Sequence, residues 1–254
     1  MDNPTITTML NRRSVRKYKP DQPSDEVVQA IVRAGQQAPF ASQLYSVLLS
    51  RKKKAPFGAP LWFYICADVY KLERFMQLRG WERVTNDLSL LVFAIQDAAY
   101  MAENMVIAAE SLGLGSCFLG SAPFVADKIA KTFKLPPRVL PVVGLVMGYP
   151  AEDFPPRPRY PLSFTLFEDE YPEFTVEQVA EAMKVMDEGY LAQDYYRRQH
   201  AMIELEDRAK EAGREETFDY DTYSWTEHIS RKWGQWFPTS DEFREVLKKR
   251  GFNL

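Results

Sequence analysis

One long apolar stretch, residues 88–112, constrains the fold more than any other part of this sequence. Polar pairs interrupt it every seven residues, at Gln96/Asp97, Glu103/Asn104 and Glu110/Ser111. This spacing places the polar groups in one narrow stripe on a helix that is apolar elsewhere. A membrane span would rarely carry so many ionisable groups. We therefore predict a central helix of a soluble protein without membrane contact, buried around most of its circumference.

Short runs of strand-forming residues on both sides of this helix predict a sheet. The runs are residues 44–49, 61–67, 115–120 and 139–147. A helix is predicted before the first run, because Ser24 is a good N-cap and Asp25 and Glu26 favour the helix dipole. Another helix is predicted over residues 122–134. Strands that alternate with helices indicate an α/β or α+β sheet with helices packed on it.

Composition excludes several classes of protein. The 254 residues can form one large domain or two small ones. A net charge of -3 argues against a general nucleic-acid binder. Cys66 and Cys117 lie in apolar runs, and residues 1–10 contain no secretory pattern, so a cytoplasmic protein with reduced thiols is predicted. His200 and His228 lack companion ligands at metal spacing, so we expect neither a metal site nor a histidine-based triad.

The C-terminal third has a different composition. Five prolines within residues 150–161 predict a stiff, extended connector. Residues 176–216 are predicted to be mostly helical, and an amphipathic stretch follows at 240–249. The tail also carries three tryptophans, Trp225, Trp233 and Trp236. Their apolar area is too large to leave in water, so we expect the tail to dock on its own body or on a partner subunit.

Five segments could present donors to an anion or to a planar polar ring. Residues 11–18 hold three arginines and a serine, and the arginine fork matches phosphate oxygens. The others are the small-residue turn 38–42, the lysine run 52–54, the strand end 118–121 and the pair Arg157/Arg159. Each could instead be a solvated loop or linker. Because the sequence has no dinucleotide, P-loop or nucleophile-elbow motif, we expect a bound cofactor to supply the chemistry.

Taken in order, these segments resemble the flavin-dependent nitroreductase family, closest to its branch of oxygen-insensitive NADPH nitroreductases and NADPH–flavin oxidoreductases. The matching stretches are 12–18, 38–39, 97–104, 108–115, 118–121, 140–150, 157–161 and 225–229. The resemblance implies an α+β, nitroreductase-like fold with a central, mostly antiparallel sheet flanked by helices, an extended helical C-terminal tail and a domain-swapped homodimer. Residues 1–161 would form the FMN-binding core. Residues 162–254 would be an extension of the same domain that wraps the partner subunit.

The resemblance also implies a set of FMN-binding residues, with no catalytic side chain and no metal. The set is Arg12, Arg13, Ser14, Arg16, Pro39, Phe40, Ala41, Ser42, Lys53, Lys54, Leu119, Gly120, Ser121, Arg157 and Arg159. Residues 12–16 would hold mainly the phosphate, ribityl and pyrimidine groups, and the pair at 157 and 159 would close on the phosphate. Residues 39–42 would come from the other subunit, and 119–121 would approach the isoalloxazine. A lysine near the ring would stabilise negative charge on the reduced flavin.

The implied activity is a ping-pong reaction in which NADPH or NADH reduces FMN and a nitroaromatic, quinone or free flavin then takes two electrons. Three alternatives stay open: a specialised flavoenzyme with another acceptor, a non-catalytic flavin-binding protein, and a nucleic-acid-binding protein. Two features depart from the branch. Residues 45–59 are fewer than usual, as if a helix between two strands were missing, which shifts the placement of Lys53 and Lys54. Phe40 stands in a turn that is serine-rich in the branch and could change which acceptors stack.

Overall fold

The computed structural model describes residues 3–51, 53–215, 219–235 and 240–254. Within these ranges four strands form one antiparallel sheet in the order β1-β2-β4-β3. The strands are β1 (Tyr45–Ser50), β2 (Leu61–Asp68), β3 (Gly115–Leu119) and β4 (Val139–Gly148). The predicted α+β class with an antiparallel sheet is confirmed, because all four strand-forming runs occupy this sheet.

Strands β1 and β2 pair directly as a hairpin, with Tyr45 opposite Ala67 and Ser50 opposite Trp62. Residues 51–60 connect them, and their described part holds a short 3₁₀ turn at Pro56–Gly58. Lys52 lies outside the described residues. Strand β4 pairs with β2 on one side and with β3 on the other, where Gly115 faces Gly148. The start of β3 and the end of β4 therefore lie side by side at one edge.

One face of the sheet is covered by α2 (Asp25–Gln36) and α4 (Asp87–Ser111). The predicted cap of α2 is confirmed, since Ser24 Oγ accepts a hydrogen bond from the Val27 N–H at 3.3 Å. Phe63 and Ile65 of β2 pack beneath these helices and are fully buried. At Gly35 a Cβ would lie 2.6 Å from Met105 Cγ, so glycine lets the two helices approach closely.

Helix α4 is buried on one side only, which corrects the prediction that most of its circumference is covered. Leu88, Phe93 and Tyr100 are 59, 48 and 47% exposed. Asp97, assigned by the sequence to the polar stripe, is instead 1% exposed. The prediction was wrong because apolar residues surround the helix while the sheet covers a single side. By length and composition α4 is a described helix that could cross a membrane, and half of that apolar window is buried in the protein.

Within residues 1–154 and 239–254, the described part of the chain has four further helices: α1 (Pro4–Asn11), α3 (Tyr70–Leu78), α5 (Ala126–Phe133) and α10 (Ser240–Lys249). Helix α5 follows a 3₁₀ turn at Ala122–Val125, and its C-cap residue, Lys134, is in the left-handed region. Helix α10 brings Leu247 and Phe252 into an apolar cluster with Leu140 of β4. The Arg138 N–H donates to the Arg250 carbonyl at 2.7 Å, so the C-terminal residues close one end of the sheet.

The chain divides into two units, Met1–Phe154 with Thr239–Leu254 (the core unit) and Pro155–Pro238 (the helical unit). The helical unit holds α6 (Val176–Ala192), α7 (Tyr195–Gln199), α8 (Asp207–Glu211) and α9 (Trp225–Gln235). Trp225 packs edge-on against Tyr160 with ring centroids 5.4 Å apart, so its predicted docking is confirmed. Trp233 is 67% exposed in the single chain, so its docking on a partner subunit, the other alternative that the sequence leaves open, stays a prediction. Trp236 lies outside the described residues.

Candidate functional site

The segment of residues 12–19 runs along the start of β3 and the residues that follow β4. The Val15 N–H donates to the Ser116 carbonyl at 2.8 Å, and the Lys19 N–H donates to the Tyr149 carbonyl at 2.8 Å. Val15 is 1% exposed and lies where Gly115 has no side chain, since a Cβ there would be 2.5 Å from Val15 Cγ2. One buried valine thus anchors the arginine-rich segment to the sheet.

Three arginines of this segment carry buried nitrogens that have no hydrogen-bond acceptor among the described residues. These nitrogens are Nη1 of Arg12, Nε of Arg13 and Nη1 of Arg16. A buried donor without an acceptor costs ~1–3 kcal/mol. Guanidinium groups pair with carboxylate or phosphate oxygens through strong, often bidentate hydrogen bonds. The segment therefore has the donors of an anion site.

The arginines of this segment lie close enough to Glu110 and Cys117 to influence the pKa of both groups. Burial raises the pKa of Glu110, and a hydrogen bond from Ser116, followed by the charges of Arg12 and Arg13, opposes that rise. Burial also raises the pKa of the Cys117 thiol, against the charges of Arg16 and Arg12 and a hydrogen bond with Ser14. The thiol is thus protonated at neutral pH and is a poor nucleophile. Both effects place residues 12–16 beside β3 and the end of α4.

The backbone of the segment is fixed by a carboxylate that follows β4. Oε1 of Glu152 accepts from the Arg16 N–H at 2.6 Å and from the Lys17 N–H at 3.1 Å. Next to it, Asp153 Oδ1 lies 2.6 Å from Arg13 Nη2. Sequence reasoning missed both acids, because their partners lie more than a hundred residues earlier in the chain.

A second carboxylate holds the small-residue turn that contains Pro39, Phe40, Ala41 and Ser42. Asp97 on α4 accepts from the backbone N–H groups of Ala41 at 2.6 Å, Ser42 at 3.1 Å and Leu44 at 2.9 Å. The turn leaves α2 and enters β1, so these three bonds fix how the chain crosses between the two elements. The signal in the sequence was the membership of Asp97 in the polar stripe of the long helix, which does not indicate its partners.

The strand end at residues 119–121 lies open at the surface. Leu119 is half-buried, whereas Gly120 and Ser121 are exposed. A Cβ at Gly120 would meet no atom within 4 Å, so the local fold does not require glycine there. The backbone beyond β3 is consequently accessible to a flat ligand.

The structure brings together only part of the predicted site. Residues 12–16 adjoin β3, which ends at Leu119, all within the core unit. Lys53 and Lys54 are exposed, and Lys53 Nζ donates to Thr132 Oγ1 of α5 at 3.2 Å, beside a cavity of about 230 Å³ walled by Trp62, Tyr64 and Phe133. Arg157 and Arg159 belong to the helical unit, where Arg157 donates to Gln193 Oε1 at 2.5 Å and stacks on Tyr195.

Comparison with known proteins identifies the family of the chain. The sequence profile described as Nitroreductase family matches residues 9–53 and 48–149. An "FMN reductase (NADPH)" of Bacillus subtilis (strain 168) is 30% identical over 213 residues, which span 77% of this chain and 84% of that protein. The chain belongs to the Nitroreductase family.

A second relative and a solved structure also match this nitroreductase over most of its length. An "Oxygen-insensitive NADPH nitroreductase" of Salmonella typhimurium (strain LT2) is 27% identical over 205 residues, covering 74% of this chain and 83% of that protein. The solved structure of B. megaterium NfrA1 matches with a TM-score of 0.81 at 26% identity and covers 99% of this chain and 100% of that one. The nitroreductase-like fold implied by the sequence motifs is thereby confirmed.

Proposed function

We propose that this nitroreductase is an FMN-dependent oxidoreductase that takes a hydride from NADPH or NADH and delivers two electrons to a small, electron-poor acceptor. Nitroaromatics, quinones and free flavins are acceptors of this kind. The names of two relatives, an FMN reductase (NADPH) and an oxygen-insensitive NADPH nitroreductase, support the proposal. The observation that carries it is the group of buried arginine donors without acceptors in residues 12–16.

FMN fits these residues because its phosphate and ribityl oxygens are hydrogen-bond acceptors. Arg12, Arg13 and Arg16 would each gain an acceptor for a buried nitrogen, and the Ser14 hydroxyl would add a donor. The phosphate would also offset the positive charge of this segment. Arg157 and Arg159 are proposed as further phosphate ligands on the family resemblance alone.

FMN, when bound, supplies a two-electron carrier between nicotinamide and acceptor. The chain binds and orients it. The exposed backbone at residues 119–121 would lie against the ring, and Lys53 and Lys54 are proposed to stabilise negative charge at the pyrimidine end. No side-chain nucleophile or general acid is assigned. Donor and acceptor would occupy the same pocket in turn, which gives ping-pong kinetics.

The proposed assembly is a homodimer with two FMN sites at the subunit interface. The exposed apolar side of α4, with Leu88, Phe93 and Tyr100, supports it, because an apolar surface of this kind on an α-helix is typical of a protein interface. In such a dimer the turn at residues 39–42 would reach the flavin of the other subunit. We further propose that the dimer is domain-swapped, with part of each chain packed on its partner.

Residues 1–161 are proposed to form the FMN-binding core and residues 162–254 an extension of the same domain that wraps the partner. Leu162, Tyr171 and Val176 are 70, 78 and 80% exposed, which supports contact with a second chain. The last residues pack on the core unit of their own chain, so the wrapping is proposed for the segment before α10. The proposed location is the cytoplasm, which suits the two free, buried cysteines.

The test of the proposed function is an anaerobic titration of the purified protein. We expect a yellow protein whose flavin absorption bleaches with NADPH or NADH and returns when a quinone is added. A yellow protein that neither nicotinamide bleaches would be a flavin-binding protein without turnover. A protein that stays colourless in excess FMN would exclude the proposal.

One observation favours a second candidate, a flavoenzyme of the same fold with a different acceptor. Phe40 is 50% exposed on the turn that is proposed to face the partner's flavin. A bulky ring there would narrow the pocket over the flavin and admit only flat or small acceptors. Steady-state kcat/KM values for a nitroaromatic, a quinone and free FMN, compared between the wild type and Phe40→Ser, would separate the two candidates.

A further inference from the structure

The carboxylate of Asp97 forms an unusually complete backbone anchor. It is 1% exposed, and its two oxygens accept three backbone N–H bonds of 2.6 to 3.1 Å from residues 41, 42 and 44. Hydrogen bonds to a charged group are stronger than neutral ones. We call residues 38–44 the Asp97 loop.

The Asp97 loop turns its backbone donors inward, and residues 39–43 are exposed between the buried side chains of Ala38 and Leu44. Pro39, Phe40 and Ser42 are exposed, although the N–H groups of residues 41, 42 and 44 are bonded to a buried carboxylate. On α4, exposed Phe93 and Tyr100 lie one turn before and one turn after Asp97. The loop is therefore a fixed surface next to the side of α4 that is proposed to form the dimer interface.

We propose that Asp97 is a positioning residue that acts in trans, fixing the Asp97 loop of one protomer against the flavin bound by the arginines of its partner. This inference rests on the proposed FMN site and homodimer. Asp97 itself touches neither flavin nor acceptor. Its effect comes from holding the loop backbone, because a displacement of about 1 Å in a binding group can cost ~10²-fold in rate.

The first experiment compares Asp97→Asn with Asp68→Asn. Asp68 is the matched control, since it is 4% exposed and its carboxylate accepts from the Ser46 hydroxyl at 2.5 Å and from the Lys71 N–H at 3.2 Å rather than from the amides of residues 41, 42 and 44. The Asp68 backbone N–H donates to the Leu44 carbonyl at 2.8 Å, and Asp68→Asn leaves that bond in place. We expect both variants to lose stability. Only Asp97→Asn should raise the Kd for FMN, by at least ~10-fold. Equal FMN affinity in the two variants would overturn the inference.

The second experiment tests the trans arrangement with mixed dimers of two differently tagged chains, one carrying Arg13→Ala and the other Asp97→Asn. If the loop acts across the interface, one site has both defects and the other has none. We then expect one FMN per dimer to bind with wild-type affinity and to bleach with NADPH. If the loop acts on its own chain, both sites are defective, and no tight site would form.

A third measurement separates positioning from general loss of structure. In the FMN-free protein, Asp97→Asn should speed hydrogen exchange at the amides of residues 41, 42 and 44 while the amides of β2 keep their protection. If Asp97→Asn does not fold, Asp97→Glu keeps the charge and shifts the carboxylate, and it should also raise the Kd for FMN. Unchanged FMN affinity in Asp97→Glu together with unchanged loop exchange would contradict the inference. Wild-type protein that fails to bind FMN would instead contradict the proposed function.

Discussion

At the scale of single residues, the arginine segment is costly to fold without a ligand. Arg12, Arg13 and Arg16 each bury a donor nitrogen that no described group accepts from. The segment is nevertheless fixed, because Glu152 accepts two of its backbone N–H groups and Val15 is buried against Gly115. A bound anion would therefore stabilise a surface that is already formed, without paying for the ordering of a loop.

Replacing Arg13 with alanine should separate cofactor binding from folding. Arg13 forms an ion pair with Asp153, whose side chain is 89% exposed. Such exposed pairs contribute less than about 1 kcal/mol to stability. We expect Arg13→Ala to remain folded, with an unfolding midpoint close to wild type, and to be purified with little FMN. Arg51→Ala, which removes the exposed ion pair with Asp25, is the matched control and should keep its FMN. A flavin-replete Arg13→Ala protein would show that the phosphate binds elsewhere.

The arginines could be found in the sequence because they cluster within five positions. Asp97 and Glu152 could not be assigned, since their partners are backbone groups brought near only by the fold. The bonds of Asp97 span 53 to 56 residues of sequence, and those of Glu152 span 135 and 136. An isolated acid carries no local pattern that distinguishes such an anchor from a surface charge.

At the scale of secondary structure elements, a glycine lies at each end of β3. The space for a side chain differs between the two: it is filled at Gly115 and open at Gly120. A Cβ at Gly115 would clash with Val15 and Pro150, whereas a Cβ at Gly120 would meet nothing. We expect Gly115→Ala to lower the free energy of unfolding by ~1–3 kcal/mol through overpacking and to displace the arginine segment. Gly120→Ala should leave stability nearly unchanged and weaken FMN binding. Urea denaturation with an FMN titration of each variant measures both effects, and a reversed order would contradict them.

In the helical unit, His228 should make stability depend on pH. Burial, with Lys232 adding to it, lowers the pKa of His228 to about 4 in the folded chain, although a backbone hydrogen bond opposes the shift. The unfolded chain titrates near ~6.5, so it binds a proton that the folded chain excludes between these values. Stability is therefore complete above the higher value and falls as the pH drops toward the lower one.

The measurement is the urea midpoint at pH 7.5 and at pH 5 for wild type, His228→Phe and His200→Gln. We expect wild type and the exposed-histidine variant His200→Gln to lose ~1 kcal/mol more than His228→Phe over this interval. This expected loss of stability is smaller than the full pKa difference would give, because the His228 ring is partly exposed to solvent. Equal pH dependence in all three proteins would show that His228 is not buried as a neutral base.

The elements themselves were predictable where burial imposed a pattern. All four strands and the capped helix α2 lie within a residue or two of the predicted bounds. Helices α1 and α3 were missed, and neither contains a fully buried residue, so no strong apolar periodicity marks them. Residues 201–206, predicted as helix, are irregular because two left-handed residues, Asp194 and His200, bound the short helix α7.

At the scale of the whole molecule, the exposed side of α4 should determine the oligomeric state. Phe93 is 48% exposed on this side, so Phe93→Asp would place a charge in the proposed interface. We expect this variant to be monomeric by light scattering and to lose FMN with it. Phe75 of α3 is 63% exposed, so Phe75→Asp is the control and should stay dimeric. A monomeric wild type would remove the basis for sites shared between two chains.

The large sequence separation between residues 250–252 and β4 has a consequence for biosynthesis. Phe252 is 1% exposed against Leu140, and Arg250 donates to the Val139 carbonyl at 3.1 Å, over a separation of 111 residues. The ribosome synthesises these residues more than a hundred positions after their partners on β4, so the growing chain leaves this apolar cluster incomplete until they emerge. A nascent or prematurely terminated chain would leave Leu90 and Leu140 accessible to chaperones and proteases.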